Sequence, residues 1–415
     1  MNGSFDEQRR VVAPLSDRFD RAGHRLYLVG GIVRDELLGR QVDTPDLDLT
    51  TDATPDQMKV LVDGVVDAVW LQGERFGTIG VRLEGRTIEI TTHRAEAYTS
   101  DSRKPDVSYS MDLAEDLSRR DFTVNAMAVD VADGVLHDPH GGRSDLEAGL
   151  LRTPLDPEIS FADDPLRMMR AARFVAGYGF TPVPGLVDAA TNLADRMEIV
   201  SAERKCVELF RLLSLLDPGP GLALLIDAGL VGHVLPGVAD LDSRSLSGVL
   251  DQMAGAPPEP LLRLAVLGSV VGAAALRDMA VGLRMSGRDT SDLMRLVSTI
   301  DDVAGARGPR WSDEAVRRLA ANAGDMLQPA LRLAAVLELD DRDLGAAVNR
   351  LVAAGELDDM GPALDGAAVM DLLGLEPGTQ VGEALAWLTD LRFSEGRLDH
   401  DEVVRRLSAW WADRT

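Results

Sequence analysis

Residues 26–51 read LYLVGGIVRDELLGRQVDTPDLDLTT. Leu26 to Val29 is a short apolar run ending at Gly30-Gly31, and a helical pattern follows through Leu38 to a stop at Gly39. Leu47 to Thr50 reads as the next strand. Strand, glycine turn, helix and strand in that order describe an α/β unit with its glycines at a helix N-terminus. Without side chains there, Gly31 and its neighbour let backbone N–H groups approach a phosphate, and Arg34, one turn on, reaches the same anion. A tight turn with a surface arginine uses the same residues. Asp46 and Asp48 flank Leu47. Residues two apart in a strand share a face, so two carboxylates stand side by side, a costly arrangement unless a cation neutralises them. Hard cations such as Mg2+ bind carboxylates together with substrate phosphates. Two such ions about 3.5–4 Å apart clamp the attacking and leaving oxygens of a phosphoryl displacement. An acidic surface strand is the alternative, although Leu47 and Leu49 then pack the opposite face into a core.

Outward from this stretch, residues 1–24 read as a leading helix. Thr54-Pro55-Asp56-Gln57 is a capped helix start. Thr78–Leu83 and Thr87–Thr91 alternate around Glu84-Gly85, and Ala126–Val131 precedes Ala132-Asp133-Gly134; both are hairpin signals. From about residue 144 strand signatures vanish, and Ala, Leu and Arg recur at helical spacing. Breakers at 217–221, 256–258, 305–309 and 376–378 divide this helical part. The expected fold class is α+β: an α/β unit with a mixed sheet, then an all-helical remainder. The expected divisions are 1–143, 144–217, 218–308 and 309–415.

The 415 residues suit several domains. The start is polar and resembles no secretory signal. The longest apolar run, Leu264–Leu276 between Arg263 and Arg277, is too short for a bilayer, which needs roughly 20 residues. A single cysteine, Cys206, excludes an internal disulfide and a cysteine-rich zinc site. These features make the cytoplasm the expected location and a membrane partner unexpected. The net charge of −25 argues against a generic nucleic-acid binder, but it governs solubility and steering rather than local chemistry. Lys59, Lys104 and Lys205 are the only lysines, so almost all positive charge is arginine, which suits two-pronged contact with phosphates and bases.

Two further stretches carry candidate chemistry. Arg119-Arg120-Asp121-Phe122-Thr123-Val124-Asn125 follows a short acidic helix, Leu113–Leu117. Arg120 is a candidate for a triphosphate, and Asp121 and Asn125 for ordering the loop or a sugar; a capped helix end is the alternative. Asp164, Arg167, Arg170 and Arg173 recur every three residues, sharing one broad helix face between apolar rows. Asp164 and Arg167 suit the edge of a base, and Arg170 and Arg173 suit phosphates; structural ion pairs are the alternative. Glu89 is a candidate third carboxylate. His137-Asp138-Pro139-His140 reads as a turn rather than a metal site, and Arg94, Glu96 and Tyr98 as substrate contacts or loop shapers. Arg196, Arg204, Lys205 and Arg211 are candidate RNA phosphate contacts or plain helix surface.

The order of these motifs resembles the class II tRNA nucleotidyltransferases, the CCA-adding enzymes of the polymerase-β-like nucleotidyltransferase superfamily. The resemblance lies in LVGGIVRD, PDLDLTT, IEITTHRAEAY, EDLSRRDFTVNAMA, LHDPHGGRSDLEAGLLRT and FADDPLRMMRAARF, within residues 26–180, and more weakly in residues 364–385. It implies a catalytic head followed by helical neck, body and tail that hold tRNA. Asp46 and Asp48 would be catalytic and bind Mg2+. Gly31, Arg34, Arg120, Asp164, Arg167, Arg170 and Arg173 would bind the nucleotide, with Asp164 and Arg167 serving as a protein template for C or A. The implied reaction is template-independent addition of CCA to tRNA from CTP and ATP, with pyrophosphate released. A poly(A) polymerase, a specialist adding only CC or only A, and a retired enzyme that only binds RNA are the alternatives. Two departures stand out. Asp163-Asp164 replaces the family's usual Glu-Asp. The helices around 261–272 and 280–297 look like a His-Asp phosphohydrolase domain without its dyad, so no phosphohydrolase activity is expected there.

Overall fold

The computed structural model describes residues 5–40, 47–97, 106–235, 237–238, 241–306, 311–339 and 343–414, with 94–97 and 106–109 described by backbone alone. Asp46 and Tyr98 lie outside the described residues. The chain forms two compact units, Met1–Val234 and Leu235–Thr415.

The first unit is built on strands β1 (Leu26–Val29), β2 (Leu47–Thr51), β3 (Ala68–Trp70), β4 (Thr78–Leu83) and β5 (Arg86–Thr92). A separate hairpin, β6 (Arg94–Ala97) with β7 (Asp106–Tyr109), precedes β8 (Ala128–Asp130) and β9 (Leu136–His137). The main sheet has seven strands in the order β3-β4-β5-β2-β1-β8-β9. It is mixed, because β2 runs parallel to β5 while β1 is antiparallel to both β2 and β8. Glu84 (φ 51°) and Gly85 (φ 78°) both adopt the left-handed conformation that a two-residue hairpin turn demands.

The strands alternate because one face is core. Leu26, Leu28, Leu47, Leu49, Ile79, Val81, Ile88 and Ile90 are buried. Two helices supply further buried residues: α1 (Asp6–Arg21) contributes Val12, Leu15 and Phe19, and α3 (Pro55–Val62) contributes Met58 and Val62. Helix α3 carries the expected capping box, with Gln57 Oε1 accepting from Thr54 N at 2.8 Å. Between β1 and β2 lies α2 (Gly31–Leu37), and α4 (Leu113–Ser118) packs Leu117 against Val29, Ala126 and Ala128 on the opposite face. That leaves Asp48 and Glu89 on the exposed side.

Helices α5 (Gly142–Ala148), α6 (Pro157–Asp163) and α7 (Leu166–Tyr178) follow, with α8 (Leu186–Asn192), α9 (Ala202–Leu213) and α10 (Gly219–Asp227) beyond. Strand structure does not end at residue 144: β10 (Leu150–Leu151) pairs in parallel with β11 (Thr181–Pro182), bracketing α6 and α7. Two-residue strands have no room for a period, so no pattern announces them. The Pro-Gly stretch at 217–221 starts α10, which packs onto α7 and α9. A β-carbon at Gly221 would lie 2.5 Å from the Ala172 carbonyl oxygen and 2.7 Å from Leu212 Cδ1, so only glycine allows that approach. In the second unit every described element is helical. Arg263, 1% exposed, donates to the carbonyls of Ala254 and Ala256 that close the helix Ser243–Gly255.

Candidate active site

Three features meet at the open end of β2. Gly30 has φ 76°, a conformation that favours glycine. A β-carbon on Gly30 would stand 3.3 Å from Arg120 Nη1 and 3.7 Å from Asp48 Oδ2. The glycine turn, a carboxylate and a guanidinium therefore surround one small space. Glu89 joins them from β5, as the register partner of Asp48. Directly paired residues project to the same face, so two exposed carboxylates lie on neighbouring strands. Their hard oxygen donors fit a cation such as Mg2+. Among the described residues no group of three His, Cys, Asp or Glu side chains is placed to hold a metal ion.

The Arg119–Asn125 segment sets Arg120 over this space. Asp112 caps α4 by accepting from Ala114 N at 2.8 Å. On the same helix Asp116, 8% exposed, has Oδ2 3.4 Å from both Arg120 Nη2 and Thr50 Oγ1. Asp116 therefore ties the arginine to β2. The Arg120 Nε is buried and makes no hydrogen bond among the described residues.

Asp121 and Asn125 order the loop, as the sequence suggested. Asp121 Oδ1 accepts from Asn125 Nδ2 at 2.9 Å and from Phe122 N at 2.8 Å, while Oδ2 accepts from Arg170 Nε at 2.8 Å. Burial disfavours the Asp121 carboxylate, but the Arg170 charge and these hydrogen bonds outweigh it and hold the group below the usual aspartate range. Arg34 does not project toward an open anion space. It is 6% exposed, donating to Asn125 Oδ1 at 2.6 Å, to both Asp35 carboxylate oxygens and to the Tyr178 hydroxyl. Its guanidinium carbon lies 4.3 Å from the Tyr178 ring centroid. Arg34 thus joins α2, the 121–125 loop and α7. Gly31 opens α2 beside it, with a β-carbon position 3.4 Å from Arg34 Nη2.

Helix α7 is packed between apolar rows as its spacing implied, with Leu166, Met168, Met169, Ala171, Ala172 and Phe174 buried. Its arginines all have protein partners. Arg167 donates to Ser160 Oγ at 2.8 Å and to the Arg119 carbonyl. Arg170 pairs with Asp121, and Arg173 with the buried Glu208. Asp164 accepts from Leu166 N at 3.2 Å and from Arg204 Nη2 at 2.8 Å, rather than pairing with Arg167. Candidate base-reading and phosphate-binding groups are therefore held by ion pairs and carbonyls along one side of α7.

The remaining candidates take supporting places. Asp138 caps α5 through Gly142 N and Arg143 N at 2.7 and 3.0 Å, and His137 packs edge-on against Tyr27, so that segment is a turn. Arg196 donates to the Ala162 carbonyl, Lys205 to the His233 carbonyl, and Arg211 pairs with Glu208. Tyr178 and His93 escaped the sequence reading. Tyr178 is four residues after Phe174, on the Arg170 side of α7, which was the available signal. His93 is 2% exposed at the end of β5, and neither ring nitrogen is hydrogen-bonded among the described residues. Burial holds its pKa below the ordinary imidazole value, despite the attraction of Asp116 and Asp52.

Residues 26–152 match the family model "Poly A polymerase head domain", and residues 179–241 match "Probable RNA and SrmB- binding site of polymerase A". The chain is 39% identical over 249 residues to the CCA-adding enzyme of Levilactobacillus brevis, covering 59% of this chain and 61% of that one. It is 43% identical over 193 residues to the CCA-adding enzyme of Bacillus subtilis, 46% of this chain and 47% of the relative. The matches thus span about half to three fifths of these curated relatives. The structure resembles the Bacillus stearothermophilus CCA-adding enzyme in complex with CTP, with a TM-score of 0.77 and 26% identity, over 100% of this chain and 99% of that one. No described helix is long and apolar enough to cross a membrane.

Proposed function

Since the chain belongs to the class II tRNA nucleotidyltransferase and poly(A) polymerase family, we propose that it adds CCA to the 3′ end of tRNA from CTP and ATP, without a nucleic-acid template. The observation that carries this reading is the shared space between Gly30, Asp48 and Arg120, with Glu89 in register beside it. The tRNA 3′-hydroxyl releases its proton to water as its oxygen bonds to the α-phosphorus, the bond from that phosphorus to the α–β bridging oxygen breaks, and pyrophosphate leaves. Asp46 and Asp48 are the residues that would hold Mg2+, which when bound supplies charge neutralisation at the attacking and leaving oxygens. The backbone at Gly30 and Gly31 makes room for the triphosphate, and Arg120, steadied by Asp116, neutralises the leaving group. Arg34 acts by position, holding the glycine turn, the 121–125 loop and α7 in one geometry.

Asp164 and Arg167 read the base edge. The groups they now hold, the Arg204 guanidinium and the Ser160 hydroxyl, offer the donors and acceptors of a nucleobase, so nucleotide binding exchanges one set for the other. Arg170 and Arg173 fix the face that presents them. Residues 1–143 serve as the catalytic head, 144–217 as neck, 218–308 as body and 309–415 as the tRNA-holding tail, working in the cytoplasm. The head model's description favours a second reading, poly(A) polymerase. Metal-dependent incorporation of labelled CTP and ATP into tRNA lacking none, one, two or three terminal nucleotides separates them. CCA addition stops at the complete end, a specialist stops after CC or adds only A, and a poly(A) polymerase continues with A.

A further inference from the structure

Asp48, Glu89, Gly80 and Trp70 are consecutive register partners across β2, β5, β4 and β3. They form one row on the exposed face, running from the glycine turn to the sheet edge. At Gly80 a β-carbon would lie 3.6–3.8 Å from Trp70 Cδ2, Cε3 and Cγ, the nearest being the ring-fusion carbon Cδ2. The indole therefore lies face-on over Gly80. Arg82, two residues further along β4 on the same face, has its guanidinium carbon 5.6 Å from the indole centroid. Beside the edge strand, Arg75 sits 4.5 Å from the ring centroid of the exposed Phe76. In this acidic chain neither Arg75 nor Arg82 forms an ion pair among the described residues.

We propose that Trp70 is a stacking platform for an unpaired base of the RNA acceptor strand, with Arg82 meeting the adjoining phosphate. The proposal rests on the reading of an RNA 3′ end as acceptor. An in-line displacement sets the attacking and leaving oxygens on opposite sides of the phosphorus. Gly30 and Arg120 lie on the β1 side of Asp48, so pyrophosphate departs that way and the 3′-hydroxyl arrives over Glu89. The bare backbone at Gly80 lets the indole lie flat against the sheet, and the strand behind the 3′-hydroxyl passes Glu89 and meets the outer face of Trp70. Three inter-strand spacings of ~4.8 Å put Trp70 roughly 14 Å from Asp48, a few nucleotides back from the reacting end. Base–aromatic stacking tolerates any base, which suits an end whose last bases change at each addition.

The test compares wild type with Trp70→Ala, Trp70→Phe and Arg82→Gln, using tRNA that lacks its terminal CCA. Binding is followed by filter retention and by tryptophan fluorescence, with incorporation measured in parallel and folding checked by thermal melting. Trp311, Trp387, Trp410 and Trp411 are common to wild type and Trp70→Phe, so the difference in quenching between the two proteins reports the platform. The expected result is about a tenfold rise in KM and Kd for Trp70→Ala, with kcat at saturating tRNA held within about twofold. Trp70→Phe recovers most of the affinity, and Arg82→Gln weakens binding with a shallower salt dependence. Wild-type KM and Kd in a folded Trp70→Ala variant would overturn the proposal, as would equal losses in the Ala and Phe variants. A wild-type protein that binds the RNA through Trp70 but incorporates no nucleotide would uphold the platform and reject the polymerising function instead.

Discussion

Asp48 and Glu89 face one another in register across the parallel strands β2 and β5, both exposed, one strand apart. We propose that in that position Glu89 shares a cation held at Asp48. Glu89→Gln is expected to lower kcat by about 10²–10³, the range seen when one preorganised electrostatic contact is lost. Because the side chain is exposed, the melting temperature should stay near wild type. Single-turnover incorporation rates beside thermal melts measure both, and an unchanged rate would remove Glu89 from the site.

Arg167 is the next group to test. It bridges α7 to the Arg119 carbonyl and to Ser160. Arg167→Ala is expected to cut discrimination between correct and incorrect nucleotides by about tenfold or more, while tRNA affinity changes little. Competition between CTP, ATP, GTP and UTP on tRNA ending at each step gives the ratio. Discrimination equal to wild type would leave Arg167 a purely structural bridge.

The Asp121–Arg170 pair predicts stability and its dependence on pH. Asp121→Asn leaves a half-buried arginine without its counter-charge and should cost ~3–5 kcal/mol. The native Asp121 pKa is held below the ordinary value of 3.8. The unfolded chain therefore binds the proton first as pH falls. The stabilisation is fully present above pH 3.8 and is lost as pH falls through the native pKa. In urea melts of wild type and Asp121→Asn across pH 3–7, the gap should be constant above about pH 4 and begin to narrow below it; a gap that widens toward acid would contradict the linkage.

Much of this architecture was legible because it rests on local signals. Alternation in Thr78–Leu83 and Thr87–Thr91, the glycine pair at 30–31 and the Thr54–Gln57 box each act within a few residues. Partnerships that need the folded chain were not legible. Arg34 reads as an anion ligand one turn into a helix, but Tyr178, 144 residues later, closes over it. The arginines of α7 show their spacing in the sequence, whereas Glu208, Asp121 and the Arg119 carbonyl are brought to them by packing. Glu89 alternates correctly for an exposed position, but its place opposite Asp48 depends on a parallel pairing that bypasses β3 and β4. Leu150–Leu151 and Thr181–Pro182 are too short to show any period.

The carboxylate on β2 carries the proposed chemistry, and one variant interrogates it most directly. Asp48→Asn keeps the size of an exposed side chain and removes its charge. Incorporation of CMP and AMP by this variant, measured with Mg2+ present and paired with a tRNA-binding isotherm on the same preparation, is expected to fall by at least about 10³ while Kd for tRNA stays within about threefold of wild type. Turnover comparable to wild type in a folded Asp48→Asn protein would contradict the account.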